Sequence, residues 1–206
     1  MLQFQELTSQ HGAQLRRYYE TCDYRLCEYS LGVKLMWRGY LHPSFAEAAG
    51  CLIIRNCIEG EYVFDYPITG TDGDTEGALR AIESWCSQKG LPLVLSVVPE
   101  DKAGQLVLRY PRCRVISERP WKDYLYRTEE LTAFAGRRYS GQRNHINKFR
   151  RDYPDAEFTP LIDAADPRLT AFWQDYAAEF HKSGPLAVQE LVLAQEMFSL
   201  IGTGWF

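Results

Sequence analysis

Apolar positions recur along this chain with two different periods, and the alternation between them marks out strands and helices. Residues 51–57 and 62–66 are dense in apolar, β-branched and aromatic side chains and are separated by Glu59-Gly60-Glu61. That pattern predicts two strands joined as an antiparallel hairpin, with Pro67 ending the second. After glycines and aspartates at 70–74, Ala78, Ile82, Trp85 and Cys86 return at helical spacing. They predict an amphipathic helix over 75–88, closed by Gly90 as a C-cap. Residues 91–98 form a nearly unbroken run of leucine and β-branched residues, the mark of a strand covered on both faces. Pro99 ends it, and 102–109 returns as a helix.

Further on the same reading predicts strands at 112–118, 123–126 and 157–160. It predicts helices at 129–134, 137–151, 169–180 and 186–200, the last with Val188, Leu191, Val192 and Met197 as apolar positions. Near the start, 7–19 reads as a short amphipathic helix. It leads into an aromatic stretch with Tyr18, Tyr19, Tyr24, Tyr29, Trp37, Tyr40 and Phe45, rings that either line a pocket or cover the first sheet. A hairpin, a helix, a buried strand, a helix and more strands describe an α/β (α+β) chain with a mixed central sheet flanked by helices. The chain finishes on Ser-Leu-Ile-Gly-Thr-Gly-Trp-Phe after two helices with apolar stripes, so a second fold is expected to be incomplete within these residues.

Composition narrows the class. The 206 residues are 46% hydrophobic and 14% aromatic, enough for a substantial core. A net charge of −4 excludes a protein that coats nucleic acid or anionic lipid over its whole surface, so an anionic partner must meet a local patch. No apolar run approaches the ~20 residues of a transmembrane helix, and no secretory signal opens the chain; a cytoplasmic location is expected. The six cysteines form no metal-ligand spacing, so no metal is expected, and Cys51, Cys57 and Cys86 read as buried thiols. Gly70, Gly73 and Gly77 match neither a P-loop nor a dinucleotide fingerprint; a turn into a helix explains them.

One segment departs from the acidic average. Residues 131–151 contain Arg137, Arg138, Arg143, Lys148, Arg150 and Arg151 and no acid. At about 100° per residue, Arg143, Asn147 and Arg150 share one helix face, while Ile146 and Phe149 point elsewhere. Arginines and amides on one face suit phosphate or carboxylate oxygens, and a tRNA backbone is one candidate; a solvated or acid-paired face that docks two folds is the other. The candidate binding residues are Arg137, Arg138, Arg143, Asn144, Asn147 and Arg150, with Asp123, Tyr124 and Tyr126 just upstream. On a strand, Tyr124 and Tyr126 would face the same side, as core or as pocket lining, and Asp123 would pair with a nearby arginine. His145 has no sequence-near carboxylate to orient it and reads as a packing or surface residue. No Ser-His-Asp or Cys-His arrangement can be assigned, so the catalytic residues stay unassigned.

The stretch Trp121-Lys122-Asp123-Tyr124-Leu125-Tyr126, then Glu130-Leu131, Gly136-Arg137-Arg138 and Gln142-Arg143-Asn144-His145-Ile146-Asn147-Lys148-Phe149, resembles the central signature of a bacterial family. That family comprises the phosphatidylglycerol lysyltransferase C-terminal domains and their soluble relatives. The resemblance implies two tandem GNAT-like acyltransferase folds joined by a basic helix. It divides this chain into a first GNAT-like domain over 1–132, a connecting helix over 133–152 and the helical start of a second, incomplete GNAT-like fold over 153–206. It further implies aminoacyl transfer from a charged tRNA, as co-substrate, to a lipid head group or another small acceptor, with no cofactor. An acetyl-CoA-dependent N-acyltransferase is the alternative; the loops at 98–104 and 68–77 lack the Arg/Gly pattern it would need. A non-catalytic binding fragment is the third reading.

Overall fold

The computed structural model describes residues 1–180 and 185–200, with side chains for all of these except 180 and 185–191. They fall into two compact units, 1–115 with the described residues from 163 to 200, and Ile116–Ile162.

The first unit is built on the expected hairpin. Strands β2 (Ser44–Ala48), β3 (Cys51–Ile58) and β4 (Glu61–Asp65) run antiparallel through two two-residue turns, Ala49-Gly50 and Glu59-Gly60. All four turn residues have positive φ, between 51° and 85°, as a turn matched to the strand twist requires. Short β1 (Gln5–Glu6) extends the sheet beyond β2, and β6 (Leu95–Ser96) lies parallel to β4. A further strand, β5 (Ile68–Thr69), pairs with β3 past the end of β4. Phe64 faces Arg55 whereas Ile68 faces Leu52, so four residues on one strand oppose three on the other. The extra residue is a bulge next to Pro67, which has no N–H to give the ladder.

Alternation along β3 makes the two layers. Cys51 and Ile53 join Phe64 and the Ala78, Ile82, Trp85 and Cys86 side chains of α4 (Thr75–Lys89). Leu52 and Ile54 face the other way, toward Leu15 and Tyr18 of α1 (Gly12–Tyr19), Leu35 of α2 (Leu31–Met36) and Met197 of α9 (Pro185–Ser199). The single-turn α3 (Arg38–Leu41) carries the chain from α2 into β2. Each large side chain removed from water here contributes about 1.5–3 kcal/mol. The mixed sheet flanked by helices is therefore present. α4 ends as expected: Gly90, at φ 64°, donates to Ser87 O and Leu91 donates to Cys86 O, a Schellman closure. Gly70 and Gly73 serve close approach. A Cβ on Gly73 would sit 2.7 Å from Gly50 O, because this loop packs its backbone on the Ala49-Gly50 turn.

Of the strand expected at 91–98, only Leu95–Ser96 pairs. Val97 turns to φ 52°, a conformation a β-branched residue rarely adopts, and takes the chain off the sheet. The hydroxyl of Tyr29 lies 2.8 Å from Val97 O and 3.1 Å from Tyr66 O, filling the gap where β4 and β6 part. α5 (Glu100–Arg109) follows, then α8 (Pro167–Phe180) before α9. Of the stripe expected on the last helix, Met197 is buried and Val192 exposed, while the side chains of Val188 and Leu191 lie outside the described set. Residues 201–206, on which the expectation of an incomplete second fold rests, also lie outside it.

The second unit holds α6 (Thr128–Ala133), α7 (Ser140–Asp152) and two single 3-10 turns, Arg119–Trp121 and Arg137–Tyr139. None of its residues is buried. The strands expected at 112–118, 123–126 and 157–160 are absent. These segments are β-prone in composition, but no sheet edge pairs with them, and Val115, Ile116, Tyr124 and Phe158 stand exposed. Among the described residues no helix is long and apolar enough to cross a membrane.

Candidate functional site

Where β4 and β6 end, the first unit opens a cavity of about 310 Å³. It lies outside the carboxyl ends of a parallel strand pair, the usual place for a ligand in sheets of this kind. The loop after α1 supplies Thr21, Cys22, Asp23 and Tyr24; the bulge and β5 supply Tyr66, Ile68 and Thr69; the start of α4 supplies Thr75 and Glu76, and the first two turns of α5 supply Lys102 and Gln105. A second hollow of about 370 Å³, between α8 and α9, has no titratable residue in its wall.

The first cavity is built for hydrogen bonding. The Tyr24 hydroxyl donates to Pro67 O at 3.2 Å, and its ring meets those of Tyr29 and Tyr66 edge-on at 4.8 and 5.9 Å. The Thr69 and Thr75 hydroxyls pair at 2.9 Å. Lys102 Nζ is 3.0 Å from Asp101, an ion pair that raises its pKa. Burial pushes the Cys22 thiol up and Tyr24 up to about 12, so both remain protonated near neutral pH. No wall residue is set up as a thiolate or phenolate nucleophile. The arrangement binds and orients.

Beneath the strand ends lies a charged pair that the apolar pattern does not announce. Lys34 Nζ is 2.5 Å from Asp65 Oδ2, and both side chains are 2% exposed. Asn56 donates to the other Asp65 oxygen at 2.9 Å and Ser96 at 3.3 Å. Burial raises the Asp65 pKa, and Lys34 is the main group pulling it back. Two neighbouring polar atoms, Asn56 Oδ1 and the Tyr19 hydroxyl, have no hydrogen-bond partner among the described residues.

In the second unit the predicted site residues separate into two groups. Arg143 is occupied: its Nη1 donates to Phe134 O and, at 2.8 Å, to Gly136 O, closing the C-terminal end of α6. Arg138 pairs with Glu130 and lies over the Tyr139 ring at 4.6 Å from its centroid. Arg137 and Arg150 have no ion pair among the described residues, and they stand exposed with Asn144 and Asn147. The helix does bring Arg143, Asn147 and Arg150 to one face, as expected. Tyr124 and Tyr126 lie on extended chain, not on a strand, with rings stacked at 6.4 Å and 85% and 52% exposed. They are not core. Asp123 adjoins them on the same extended stretch, and His145 is exposed.

Sequence reasoning missed Lys34, Asp65 and most of the cavity wall. The wall comes from four separate segments, of which the sequence pointed only to Tyr24, among rings that either line a pocket or cover the sheet, and to the 68–77 loop.

In fold the chain is similar to a conserved protein of unknown function from Bacteroides thetaiotaomicron VPI-5482, with a TM-score of 0.82 and 22% identity over 98% of this chain and 69% of that one. The likeness bears out the mixed α/β fold, a central sheet flanked by helices. No curated protein matches the chain at a comparable level. The model of the family described as phosphatidylglycerol lysyltransferase, C-terminal, matches residues 19–202. The chain belongs to the phosphatidylglycerol lysyltransferase C-terminal family.

Proposed function

We propose that this chain takes part in aminoacyl transfer from a charged tRNA to a lipid head group or another small acceptor, with aminoacyl-tRNA as co-substrate and no bound cofactor. The observation that carries the reading is the pair Arg137 and Arg150, exposed and without an ion pair among the described residues, in a segment free of acids from 131 to 151. Guanidinium groups not spent on internal carboxylates are free to take phosphate oxygens. Membership of the family supplies the reaction class and a lipid-related acceptor. The acetyl-CoA alternative is weakened by the two long helix N-termini at the cavity. They carry their own acids, Glu76 on α4 and Glu100 and Asp101 on α5, where a pyrophosphate would need bare N–H groups.

Binding of tRNA as a function of salt tests the reading. Each arginine–phosphate pair removed flattens the slope of log K against log salt by roughly 0.7–0.9. Arg137→Gln with Arg150→Gln is expected to lower the slope by about 1.5 and to weaken binding uniformly across tRNA species. Arg143→Gln is the control: it removes the α6 closure and leaves the slope near that of the native chain. A native chain that binds no tRNA at low salt, or a double variant with an unchanged slope, overturns the assignment.

A further inference from the structure

The cavity at the ends of β4 and β6 is independent of the basic segment, and its chemistry points to a ligand of the opposite charge. Two carboxylates line it, those of Asp23 and Glu76, against the single ammonium of Lys102, which a third carboxylate, Asp101, pairs with. Lys102 is held by Asp101 at 3.0 Å, and Glu76 is shared by Arg109 and Arg80. Asp23 remains with no ion pair among the described residues. Tyr66, only 5% exposed, lines the same space, and its hydroxyl has no hydrogen-bond partner among the described residues. The hydroxyl opens onto the cavity rather than into packed protein, so it is available to a partner that enters there. The Tyr24 and Tyr66 rings add electron-rich faces that attract a cation and give nothing to an anion. The volume is at the lower end of the ligand-pocket range of about 300–1,000 Å³, which restricts the occupant to a small molecule.

We propose that this cavity binds a small molecule bearing a primary ammonium group, seated against the Asp23 carboxylate and the tyrosine faces, with the Tyr66 hydroxyl as its hydrogen-bond partner. The proposal stands apart from the transferase reading, which rests on the second unit. Titration calorimetry on the full chain with 1,5-diaminopentane, pentane-1,5-diol and glutarate, at one ionic strength, compares a cation, a neutral molecule and an anion of the same length. The diamine is expected to bind about ten-fold or more tightly than the diol, and glutarate weakest of all. Asp23 is exposed, so Asp23→Asn leaves the fold intact and is expected to weaken the diamine about ten-fold while leaving the diol unchanged. Tyr66→Phe keeps the ring and removes the hydroxyl, and a smaller loss for both diamine and diol is expected. Glutarate binding as well as the diamine, the absence of binding by all three, or a diamine affinity unmoved by Asp23→Asn would overturn the proposal.

Discussion

The first unit closes a mixed sheet between helical layers and carries 14 Lys and Arg against 20 Asp and Glu, a net charge of −6. The second, residues 116–162, carries nine against seven, +2, and buries none of its side chains. The same residue types therefore do different work. Lys34 is sealed with Asp65 in the first unit, and Arg55 lies over the rings of Phe4 and Tyr62 at 4.3 and 4.5 Å. In the second unit the cations close a helix end, pair across a surface, or stand open to a partner. Internal cations are tied to stability, and exposed ones are tied to whatever binds.

The sharpest way to break this contrast is to remove a cation from each side. Lys34→Met leaves Asp65 buried without its partner, and a loss of about 3–5 kcal/mol in urea denaturation is expected. Replacing both, as Lys34→Met with Asp65→Leu, is expected to recover most of that loss, since two apolar groups need no compensation. Arg150→Ala, at an exposed position with no ion pair among the described residues, is expected to change stability by less than about 0.5 kcal/mol. If Lys34→Met were equally mild, the buried pair would not be a structural constraint.

Apolar side chains extend the comparison at a smaller scale. Ile53, fully buried between β3 and α4, is expected to cost about 2–4 kcal/mol as Ile53→Ala. Phe158, at 98% exposure, is expected to cost almost nothing as Phe158→Ala. Differential scanning calorimetry reads both. A large effect at Phe158 would mean that it is covered in solution.

The hairpin and α4 were legible because local signals agreed there. Apolar periodicity, the Glu59-Gly60 turn and the Gly90 closure specify the same geometry, whereas β2 and its Ala49-Gly50 turn were not anticipated. The strands expected at 112–118 and 123–126 failed for the opposite reason. β-propensity describes a side chain that fits a pleated surface, and it cannot supply the neighbouring edge. Val97 escaped notice because a left-handed valine is imposed by the departure of the chain from β6. Lys34 was hidden because its partner is 31 positions away on another element, and nothing local separates a buried lysine from a solvated one. In the basic segment the residues were legible and their roles were not. Arg143 and Arg150 share a face, yet only the fold reveals that Arg143 is spent on Phe134 and Gly136.

The smallest expected effect concerns acid. Burial pushes the Glu83 carboxyl up, but hydrogen bonds from Tyr110 and Arg109 outweigh it and hold the pKa below the ordinary value. Glu47 is held low in the same way by Tyr18, Gln14 and Arg17. A depressed carboxyl binds its proton more weakly in the folded chain than in the unfolded one. Its contribution to stability is therefore present above the unfolded pKa of about 4.3 and is lost as pH falls through the lower folded value. Both groups are partly exposed, which limits the gain from each to less than about 1 kcal/mol. Denaturation midpoints measured from pH 7 down to 3 are expected to fall below about pH 5, and Glu83→Gln with Glu47→Gln is expected to flatten that fall. An acid limb unchanged by the Glu83 and Glu47 substitutions would move the sensitivity to the other depressed carboxyls, Asp166 and Glu130, and not to Asp65, whose raised pKa has the opposite sign.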